Sequence, residues 1–383
     1  MRRTYAIIIK PVSSRCNLLC SYCYYSGKKS LLNVEPAMMS HEVLDSFIRQ
    51  NIGIHGRDAV IEFAWHGGEP LLAGIEFFRE ALRLQREYGN GRKILNTLQT
   101  NATLLNDEYC EFFRTESFLL GVSIDGPEEI HNAYRGDTFS QAMKGIDLLR
   151  KHGVPFNTLT AVNSLNSKYP REVYSFLREL TDYIQFLPVI EAMPTSYEID
   201  DGQKFARPPG IFRSGGRGEV ATFSVEPEQW GAFMCSVLGE WLKNDAGRKH
   251  VQLIDAAIGN MMGIPCPLCV HNPLCGHSGC VEANGDVYSC DRYAFPQYYL
   301  GNIMDTELAK LMEMNREFGM HKSYGLPDEC LDCHYLRLCF GGCPKDRLKG
   351  GKNYLCRGYK LFFSEIVRMK TGTAPNSETT PEI

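Results

Sequence analysis

The chain has 383 residues, of which 44% are hydrophobic, and its formal net charge at pH 7 is −4. This length and composition are sufficient for a large domain and a smaller one, each with a buried core. A nucleic-acid-binding protein carries a basic excess, so the slightly acidic balance argues against a nucleic-acid partner.

The amino-terminal segment predicts a cytoplasmic protein without a membrane anchor. Two arginines precede an apolar run over residues 5–9, which Lys10 ends. This run is too short for the hydrophobic part of a signal peptide, and no window reaches the length of a membrane span. In the reducing cytoplasm, the fifteen cysteines of the chain are more typical of metal binding or catalysis than of disulfides.

Short apolar segments alternate with helical patterns over the first half of the chain. The predicted strands cover residues 5–9, 60–65, 94–99, 119–124, 157–161 and 183–187. Amphipathic patterns between them predict helices, for example over residues 41–52, 75–89 and 139–153. Repeated β–α units predict an α/β fold with a parallel sheet, and about six units predict a partial (β/α)6 TIM-like barrel. Functional residues are then expected at the carboxyl ends of the strands.

Changes in composition predict how the rest of the chain is divided. The barrel is expected to occupy residues 1–224, and its last part, residues 192–224, is rich in Gly, Pro and charge, which indicates a loop or linker. A helical linker is expected over 225–265, and a cysteine-rich domain with a carboxy-terminal helix over 266–370. Residues 371–383 are expected to be a disordered tail.

Three cysteines directly after the first predicted strand form the most informative motif. Cys16, Cys20 and Cys23 have the spacing C-x3-C-x2-C. A four-iron cubane held by three thiolates keeps one iron open, and that iron can chelate a small molecule through an amine and a carboxylate. S-adenosylmethionine offers both groups beside a sulfonium that one electron can cleave. The alternative is a zinc knuckle completed by a distant residue.

With Tyr22 between its last two cysteines, the motif resembles the signature of the radical S-adenosylmethionine superfamily. The resemblance continues in "HGGEP" after the second predicted strand, where Gly67, Gly68 and Glu69 look like the loop that binds the amino end of the methionine moiety. Glycine permits close approach of the backbone, and Glu69 can accept hydrogen bonds from an ammonium group. Taken alone, a Gly-Gly pair after a strand indicates only a turn.

The same resemblance implies further contacts with the cofactor. The stretch "GVSIDGPEEIHNAYR" is similar to the family nearly throughout, which implies that Ser123 and Arg135 lie near the methionine carboxylate or the ribose. Ile184, at the end of the sixth predicted strand, resembles a backbone contact to the nucleoside. Outside this context, a Ser in a strand and an Arg in a loop are usually structural or solvated.

A second group of cysteines lies in the carboxy-terminal region. Its eight members, enough for two fully ligated cubanes, are Cys269, Cys275, Cys290, Cys330, Cys333, Cys339, Cys343 and Cys356. The pattern resembles the SPASM domain of peptide-modifying radical enzymes, so the expected fold is a partial barrel followed by a SPASM domain with two auxiliary clusters. For this region alone, two structural zinc sites are the alternative.

The resemblance also implies a crossed distribution of these ligands. One cluster would be held by Cys269, Cys275, Cys290 and Cys343. The other cluster would be held by Cys330, Cys333, Cys339 and Cys356. Spacing alone does not give this distribution, because it groups Cys343 with the three cysteines that precede it.

Four cysteines remain outside this assignment. Cys110 and Cys235 fall in helical patterns and are expected to be buried as hydrophobic side chains. Cys266 and Cys280 are ambiguous, because either could replace one of the first two ligands of the carboxy-terminal region.

Most of the chain resembles the anaerobic sulfatase-maturating enzymes among the SPASM proteins. The segments that carry this resemblance include "IIIKPVSSRCNLLCSYCYY", "TLQTNATLL", "VQLIDAAIGN", "NGDVYSCDRY" and "GGCPKDR". The resemblance implies that a 5′-deoxyadenosyl radical removes a Cβ hydrogen from a Cys or Ser of a sulfatase polypeptide, which becomes formylglycine. Three [4Fe-4S] clusters and S-adenosylmethionine are the implied cofactors, and an electron donor such as flavodoxin or ferredoxin is an implied partner.

The reaction also needs a base for the SH or OH proton. Asp291 is the candidate, because it directly follows Cys290 and the Asp of the family's "YSCD" segment has that role. His66 and Tyr25 could line the same pocket, although an aromatic side chain packed on the barrel is an equally good interpretation of Tyr25.

A different SPASM enzyme, one that forms thioether or carbon–carbon crosslinks, is the alternative function. Such an enzyme would share the clusters and most of the S-adenosylmethionine loop. Many of these enzymes carry a peptide-recognition domain before the barrel, and the first cysteine at residue 16 leaves no room for one, which favours the maturase. The sequence does not decide between Cys and Ser targets, and a monomer is the default expectation.

Overall fold

The structure is a computed structural model that describes residues 5–28, 32, 38–193, 216–217, 219–348 and 351–371. Most of the loop predicted over 192–224 and nearly all of the tail predicted over 371–383 lie outside the described residues. Within the described ranges, no helix is both long and apolar enough to cross a membrane.

The strands and helices follow the predicted order. The strands are β1 Ile8–Ile9, β2 Ile61–Trp65, β3 Ile94–Thr100, β4 Leu119–Ser123, β5 Phe156–Val162, β6 Tyr183–Pro188, β7 Gly216–Arg217, β8 Val220–Ala221, β9 His250–Val251, β10 Cys280–Val281, β11 Asp286–Tyr288 and β12 Tyr299–Asn302. The α-helices are α1 His41–Ile54, α2 Ile75–Gly89, α3 Asp107–Thr115, α4 Glu128–Arg135, α5 Phe139–His152, α6 Pro170–Leu180, α7 Pro227–Asn244, α8 Gln252–Met261, α9 Leu308–Tyr324, α10 Asp328–Leu331, α11 Leu336–Cys339 and α12 Cys356–Thr371. Each of the six predicted strands overlaps one of β1 to β6.

Capping side chains fix where several helices begin. Ser40 precedes α1 and accepts a hydrogen bond from Val43 N at 3.3 Å. Asn106 precedes α3 in the same way and accepts from Tyr109 N at 2.9 Å. Such caps satisfy backbone donors of the first turn that have no partner within the helix.

The described residues form two compact units, and the first contains Met1–Ser123, Asn132–Asn157 and Cys275–Met320. Its strands follow the order β12-β11-β10-β1-β2-β3-β4. The pairs from β10 to β4 are parallel, whereas β11 and β12 are antiparallel additions. Because β1 to β4 run in parallel, the loops that follow them emerge at the same end of the sheet.

The strand β10 joins the cysteine-rich region to the first strand of the chain. Ile8 is paired with Cys280 and Ile9 with Val281. A strand of two residues is too short to leave a periodic signal, so the sequence does not predict this pairing. The domain boundaries drawn from the sequence remain a prediction.

The second compact unit contains Ile124–His131, Thr158–Leu274 and His321–Ile383. Its strands β5, β6 and β9 pair in parallel, and β7 and β8 form a separate antiparallel pair. The helices α7 and α12 approach closely, since a Cβ on Gly358 would lie 2.1 Å from the Pro227 oxygen. Only glycine permits this approach.

Candidate active site

The cysteine loop follows β1 in the first unit and brings three thiols together. Burial raises the pKa of the Cys16 thiol to about 11, and the nearby Glu69, Cys20 and Cys23 also raise it, although the Leu18 N–H at 3.4 Å lowers it. Because Cys20 and Cys23 both act on this pKa, the three thiols lie in the same neighbourhood. Such a set can bind metal as thiolates once the metal displaces the protons.

The loop after β2 packs directly on the residues that precede these cysteines. Gly68 N donates to Ser13 O at 2.7 Å, and Glu69 N donates to Arg15 O at 2.9 Å. A Cβ on Gly68 would lie 2.0 Å from Arg15 O, and one on Gly67, whose φ is +127°, would lie 2.8 Å from Ser13 O. The close approach therefore requires both glycines, and it holds the start of the cysteine loop in place.

The carboxylate of Glu69 is fully buried and joins the loop after β2 to the end of β3. Its oxygens accept hydrogen bonds from Leu71 N at 3.1 Å, Thr100 Oγ1 at 2.9 Å and Asn101 N at 2.9 Å. Burial raises the pKa of Glu69 to about 7, although these donors lower it. Besides the predicted contact with an ammonium group, Glu69 thus holds two strand ends together.

The other predicted cofactor contacts fall into both units. Arg135 ends α4 and places its guanidinium carbon 5.4 Å from the ring centroid of Tyr22, a cation–π arrangement beside the cysteine loop. Ser123 is buried at the end of β4, also in the first unit. Ile184 belongs to the second unit, where it is fully buried as the second residue of β6, so the expectation that it lies at the end of this strand is wrong.

Asp291 lies in a buried polar cluster of the first unit. Its Oδ1 is 2.5 Å from Lys10 Nζ, and its Oδ2 accepts a hydrogen bond from the Tyr24 hydroxyl. Lys28 Nζ donates to the main-chain oxygens of Asp291 at 3.1 Å and Arg292 at 3.3 Å. Burial alone would raise the pKa of Asp291, but Lys10 first, and then His66 and Lys28, outweigh it and hold the pKa well below its usual range.

Four members of this cluster are not predicted as site residues by the sequence, and they are Lys10, Tyr24, Lys28 and Glu282. Glu282 is fully buried, accepts a hydrogen bond from the Tyr25 hydroxyl and lies 3.8 Å from Lys10 Nζ. Tyr25 itself packs against Cys280 and Tyr288. A sequence signal for Lys10 exists, because a lysine that ends an apolar strand stands where functional residues of a parallel sheet are expected.

His66, at the end of β2, is a neutral member of the same neighbourhood. Gly67 N donates to its Nδ1 at 2.7 Å, which places the ring proton on Nε2, and the Gln99 side chain is a further hydrogen-bond partner of the ring. Burial lowers the pKa of His66, although Asp291 raises it. The imidazole is therefore uncharged near pH 7.

Four of the predicted cluster ligands line a cavity in the second unit, and they are Cys330, Cys333, Cys339 and Cys356. Burial raises the pKa of the Cys339 thiol to about 12, and the other three thiols also raise it. Cys343 does not line this cavity among the described residues. Four thiols are the number that a fully ligated cubane needs, and their assignment to one cluster stays a prediction.

The remaining predicted ligands are divided between the units. Cys275 and Cys290 belong to the first, and Cys269 and Cys343 belong to the second. Their assignment to one cluster stays a prediction.

The four unassigned cysteines differ in their surroundings. Cys110 is buried in α3 and Cys235 is half-buried in α7. Cys266 is buried, and Cys280 is buried in β10 with its Sγ 3.7 Å from Glu282 Oε1.

Comparison with known proteins gives the family. Residues 11–177 match the Radical SAM superfamily, and residues 275–334 match SPASM, an iron-sulfur cluster-binding domain. A serine-type anaerobic sulfatase-maturating enzyme of Bacteroides thetaiotaomicron is 43% identical, over 94% of this chain and 89% of that protein. The chain belongs to the anaerobic sulfatase-maturating enzymes.

Two further similarities concern other members of this family of maturating enzymes. A cysteine-type enzyme of Clostridium perfringens strain 13 is 32% identical, over 94% of this chain and 95% of that protein. The solved structure of native anSMEcpe with bound AdoMet and Cp18Cys peptide has a TM-score of 0.81 and 30% identity, over 96% of this chain and 99% of that chain.

Membership confirms several expectations drawn from the sequence. This sulfatase-maturating enzyme is a radical S-adenosylmethionine oxidoreductase with a partial barrel and an iron-sulfur SPASM domain. The expected function, oxidation of a Cys or Ser in a sulfatase, and the expected cofactors, S-adenosylmethionine and iron-sulfur clusters, are confirmed at the level of the family.

Proposed function

We propose that this enzyme oxidises one Ser or Cys side chain of a sulfatase polypeptide to formylglycine, with Asp291 as the proton acceptor. The oxidation removes a hydrogen atom from Cβ, a further electron, and the proton of the hydroxyl or thiol. For Ser this gives the aldehyde directly, whereas for Cys it gives a thioaldehyde, which takes up water and releases hydrogen sulfide. The strongest support is the hydrogen bond between Tyr24, which follows Cys23, and Asp291, which follows Cys290. This contact sets a carboxylate beside the loop on which hydrogen abstraction depends.

The cysteine loop is proposed to hold the first cluster. The environment shared by its three thiols and the close packing at Gly68 support this role. Glu69, Tyr22 and Arg135 are proposed to bind S-adenosylmethionine. When bound, the cluster and S-adenosylmethionine supply the one-electron chemistry that removes the Cβ hydrogen.

Asp291 supplies the acid–base part of the reaction. Its carboxylate is fixed by Lys10 at Oδ1 and by the Tyr24 hydroxyl at Oδ2. A carboxylate oxygen can accept more than one hydrogen bond, so the Asp291 carboxylate can still accept the substrate proton. A positioned base of this kind contributes typically 10²–10⁴-fold to rate.

The four cysteines that line the cavity of the second unit are proposed to hold one auxiliary cluster. The second auxiliary cluster is assigned to Cys269, Cys275, Cys290 and Cys343. Such clusters provide an acceptor for the second electron. We further propose a monomeric cytoplasmic enzyme that receives its electrons from a carrier such as flavodoxin or ferredoxin.

The test uses the whole chain, reconstituted anaerobically with iron and sulfide, and a sulfatase peptide of the form C/S-x-P/A-x-R. A serine peptide is tried first, because the chain is more identical to the serine-type relative than to the cysteine-type one. Mass spectrometry should show a serine peptide lighter by two hydrogen atoms, and a cysteine peptide ending at the same aldehyde. A peptide with Ala at the target position is the control and should not change.

Three outcomes count against this proposal. The first is formation of 5′-deoxyadenosine with an unmodified peptide, and the second is an internal crosslink in place of the aldehyde. The third is a colourless protein that contains zinc and no sulfide-bridged iron.

A further inference from the structure

Lys10 occupies a position where a charged side chain needs partners. It follows β1, its side chain is fully buried, and its main chain is fixed by hydrogen bonds from Lys10 N to Val281 O at 2.9 Å and from Ser13 N to Lys10 O at 3.1 Å. A buried ammonium is strongly destabilising unless it is paired. Its contacts therefore define its role.

Three groups surround the ammonium. Lys10 Nζ lies 2.5 Å from Asp291 Oδ1, 3.8 Å from Glu282 Oε1 and 3.3 Å from the ring centroid of Tyr25. The contact with Asp291 is a direct ion pair, and the Tyr25 face adds a cation–π contact. Lys10 thus lies near two carboxylates and forms its shorter ion pair with Asp291.

Glu282 is held independently of Asp291. Its side chain accepts a hydrogen bond from the Tyr25 hydroxyl, and its main-chain nitrogen donates to Asp286 O at 2.9 Å. Glu282 therefore places a second negative charge beside Lys10, and its side chain is hydrogen-bonded to Tyr25 rather than to Asp291.

Asp291 is fixed at its backbone as well as at its carboxylate. Lys28 Nζ donates to Asp291 O at 3.1 Å, which holds the turn. The remaining freedom is rotation of the side chain. Lys10 at one oxygen and Tyr24 at the other remove that freedom.

We infer that Lys10 is a positioning residue that fixes the Asp291 carboxylate in the orientation needed to accept the substrate proton, while Glu282 balances its charge. This inference rests on the proposed function, which gives Asp291 its role. A buried ion pair adds little net stability over apolar side chains of the same volume, so stabilisation alone would not call for this lysine. The orientation of Asp291 does require this lysine, because misplacement of a reacting group by about 1 Å costs roughly 100-fold in rate.

The test substitutes Lys10→Met in the reconstituted whole enzyme, with Lys151→Met, an exposed lysine of the same unit, as the matched control. Lys10→Met should keep its iron and keep the KM for the sulfatase peptide within about twofold, while kcat for the aldehyde falls roughly 100-fold. The ratio of aldehyde formed to 5′-deoxyadenosine formed should fall together with kcat. Lys10→Arg should recover part of the loss, and Lys151→Met should behave as wild type.

A double-mutant cycle distinguishes a role of Lys10 that acts through Asp291 from a role that is independent of Asp291. In the Asp291→Asn background, Lys10→Met should cause no further loss of kcat, because the residue it positions has been removed. A crystal structure of Lys10→Met should show the Asp291 side chain away from the Tyr24 hydroxyl. An additive loss in the cycle, or an Asp291 side chain unchanged in the crystal, overturns the inference.

If Lys10→Met fails to bind iron, Lys10→Met/Glu282→Gln removes one charge of each sign and tests the same point. A low kcat in this charge-balanced variant supports positioning, and wild-type kcat shows that Lys10 serves only charge balance. Failure of the proposed function would look different. The wild-type enzyme would then form no aldehyde in the same assay.

Discussion

Tyr24 donates its hydroxyl hydrogen to Oδ2 of Asp291, although the two residues are 267 positions apart in the sequence. Tyr24 follows the last cysteine of the amino-terminal trio, and Asp291 follows a cysteine of the carboxy-terminal region. The contact therefore connects two motifs whose relationship the sequence shows only through family resemblance. It also defines the atom at which a substrate proton is expected to arrive.

Asp291→Asn should abolish most turnover without removing cofactors. The amide cannot accept a proton, so formylglycine formation should fall by roughly 10²–10⁴-fold. Iron content and S-adenosylmethionine cleavage in the absence of peptide should stay near wild type. Aldehyde formation is measured by mass spectrometry, with the exposed Asp305→Asn as control. Unchanged turnover would remove Asp291 from the mechanism.

Gly68→Ala should disrupt the first cluster selectively. The new Cβ would lie 2.0 Å from Arg15 O, so the cysteine loop must move. Iron content should drop from about twelve to about eight atoms per chain, and S-adenosylmethionine cleavage should be lost. Gly53→Ala is the control, because nothing lies within 4 Å of its Cβ. A Gly68→Ala enzyme with full iron and normal cleavage contradicts the assigned role of this loop.

Binding of S-adenosylmethionine should strengthen as pH rises through 7. Burial raises the pKa of Glu69 to about 7, so its ionised fraction goes from roughly one-tenth at pH 6 to about nine-tenths at pH 8. The amino group of S-adenosylmethionine donates its hydrogen bond to the ionised form, so Kd should fall about tenfold over this range. Titration calorimetry of the reconstituted enzyme measures this change.

Two variants separate this effect from a general pH dependence. Glu69→Gln should bind weakly at both pH values, whereas the exposed Glu76→Gln should keep the wild-type dependence. Equal Kd values at pH 6 and pH 8 for the wild-type enzyme would show that Glu69 does not bind the amino group.

Iron counts of paired cysteine variants should reveal how the auxiliary ligands are grouped. Cys339 and Cys356 line one cavity, so Cys339→Ala/Cys356→Ala should lose about four iron atoms, as either single variant does. Cys339→Ala/Cys343→Ala should lose about eight, because we assign the two residues to different clusters. A loss of only four from the second pair would support the grouping by spacing. Cys235→Ala should keep all of the iron.

The sequence predicts the β–α framework well and the polar cluster poorly. Apolar runs such as 60–65 and 94–99 give β2 and β3 almost residue for residue, because alternation of strands and amphipathic helices is a local property. The contact of Lys10 with Glu282 and Asp291 is not local. No periodicity or spacing encodes it, and it follows only once β10 is placed beside β1.

The ligand groups show the same limit. The trio Cys16, Cys20 and Cys23 is compact in sequence, so spacing identifies it. The cavity that includes Cys339 and Cys356 depends on how α11 and α12 pack, which spacing does not contain. Family resemblance implies that grouping. Spacing does not, because the fold brings together residues that lie far apart in the sequence.

The pairing of β1 with β10 has a consequence for how the enzyme is made. Main-chain bonds such as Ala6 N to His277 O, at 3.1 Å, and Ile8 N to Gly279 O, at 2.9 Å, join the earliest-translated strand to one translated much later. Until the ribosome has passed this second segment, β1 keeps an unpaired edge, a state prone to misassembly. The pairing of β1 is therefore completed only after residues 280–281 have been translated.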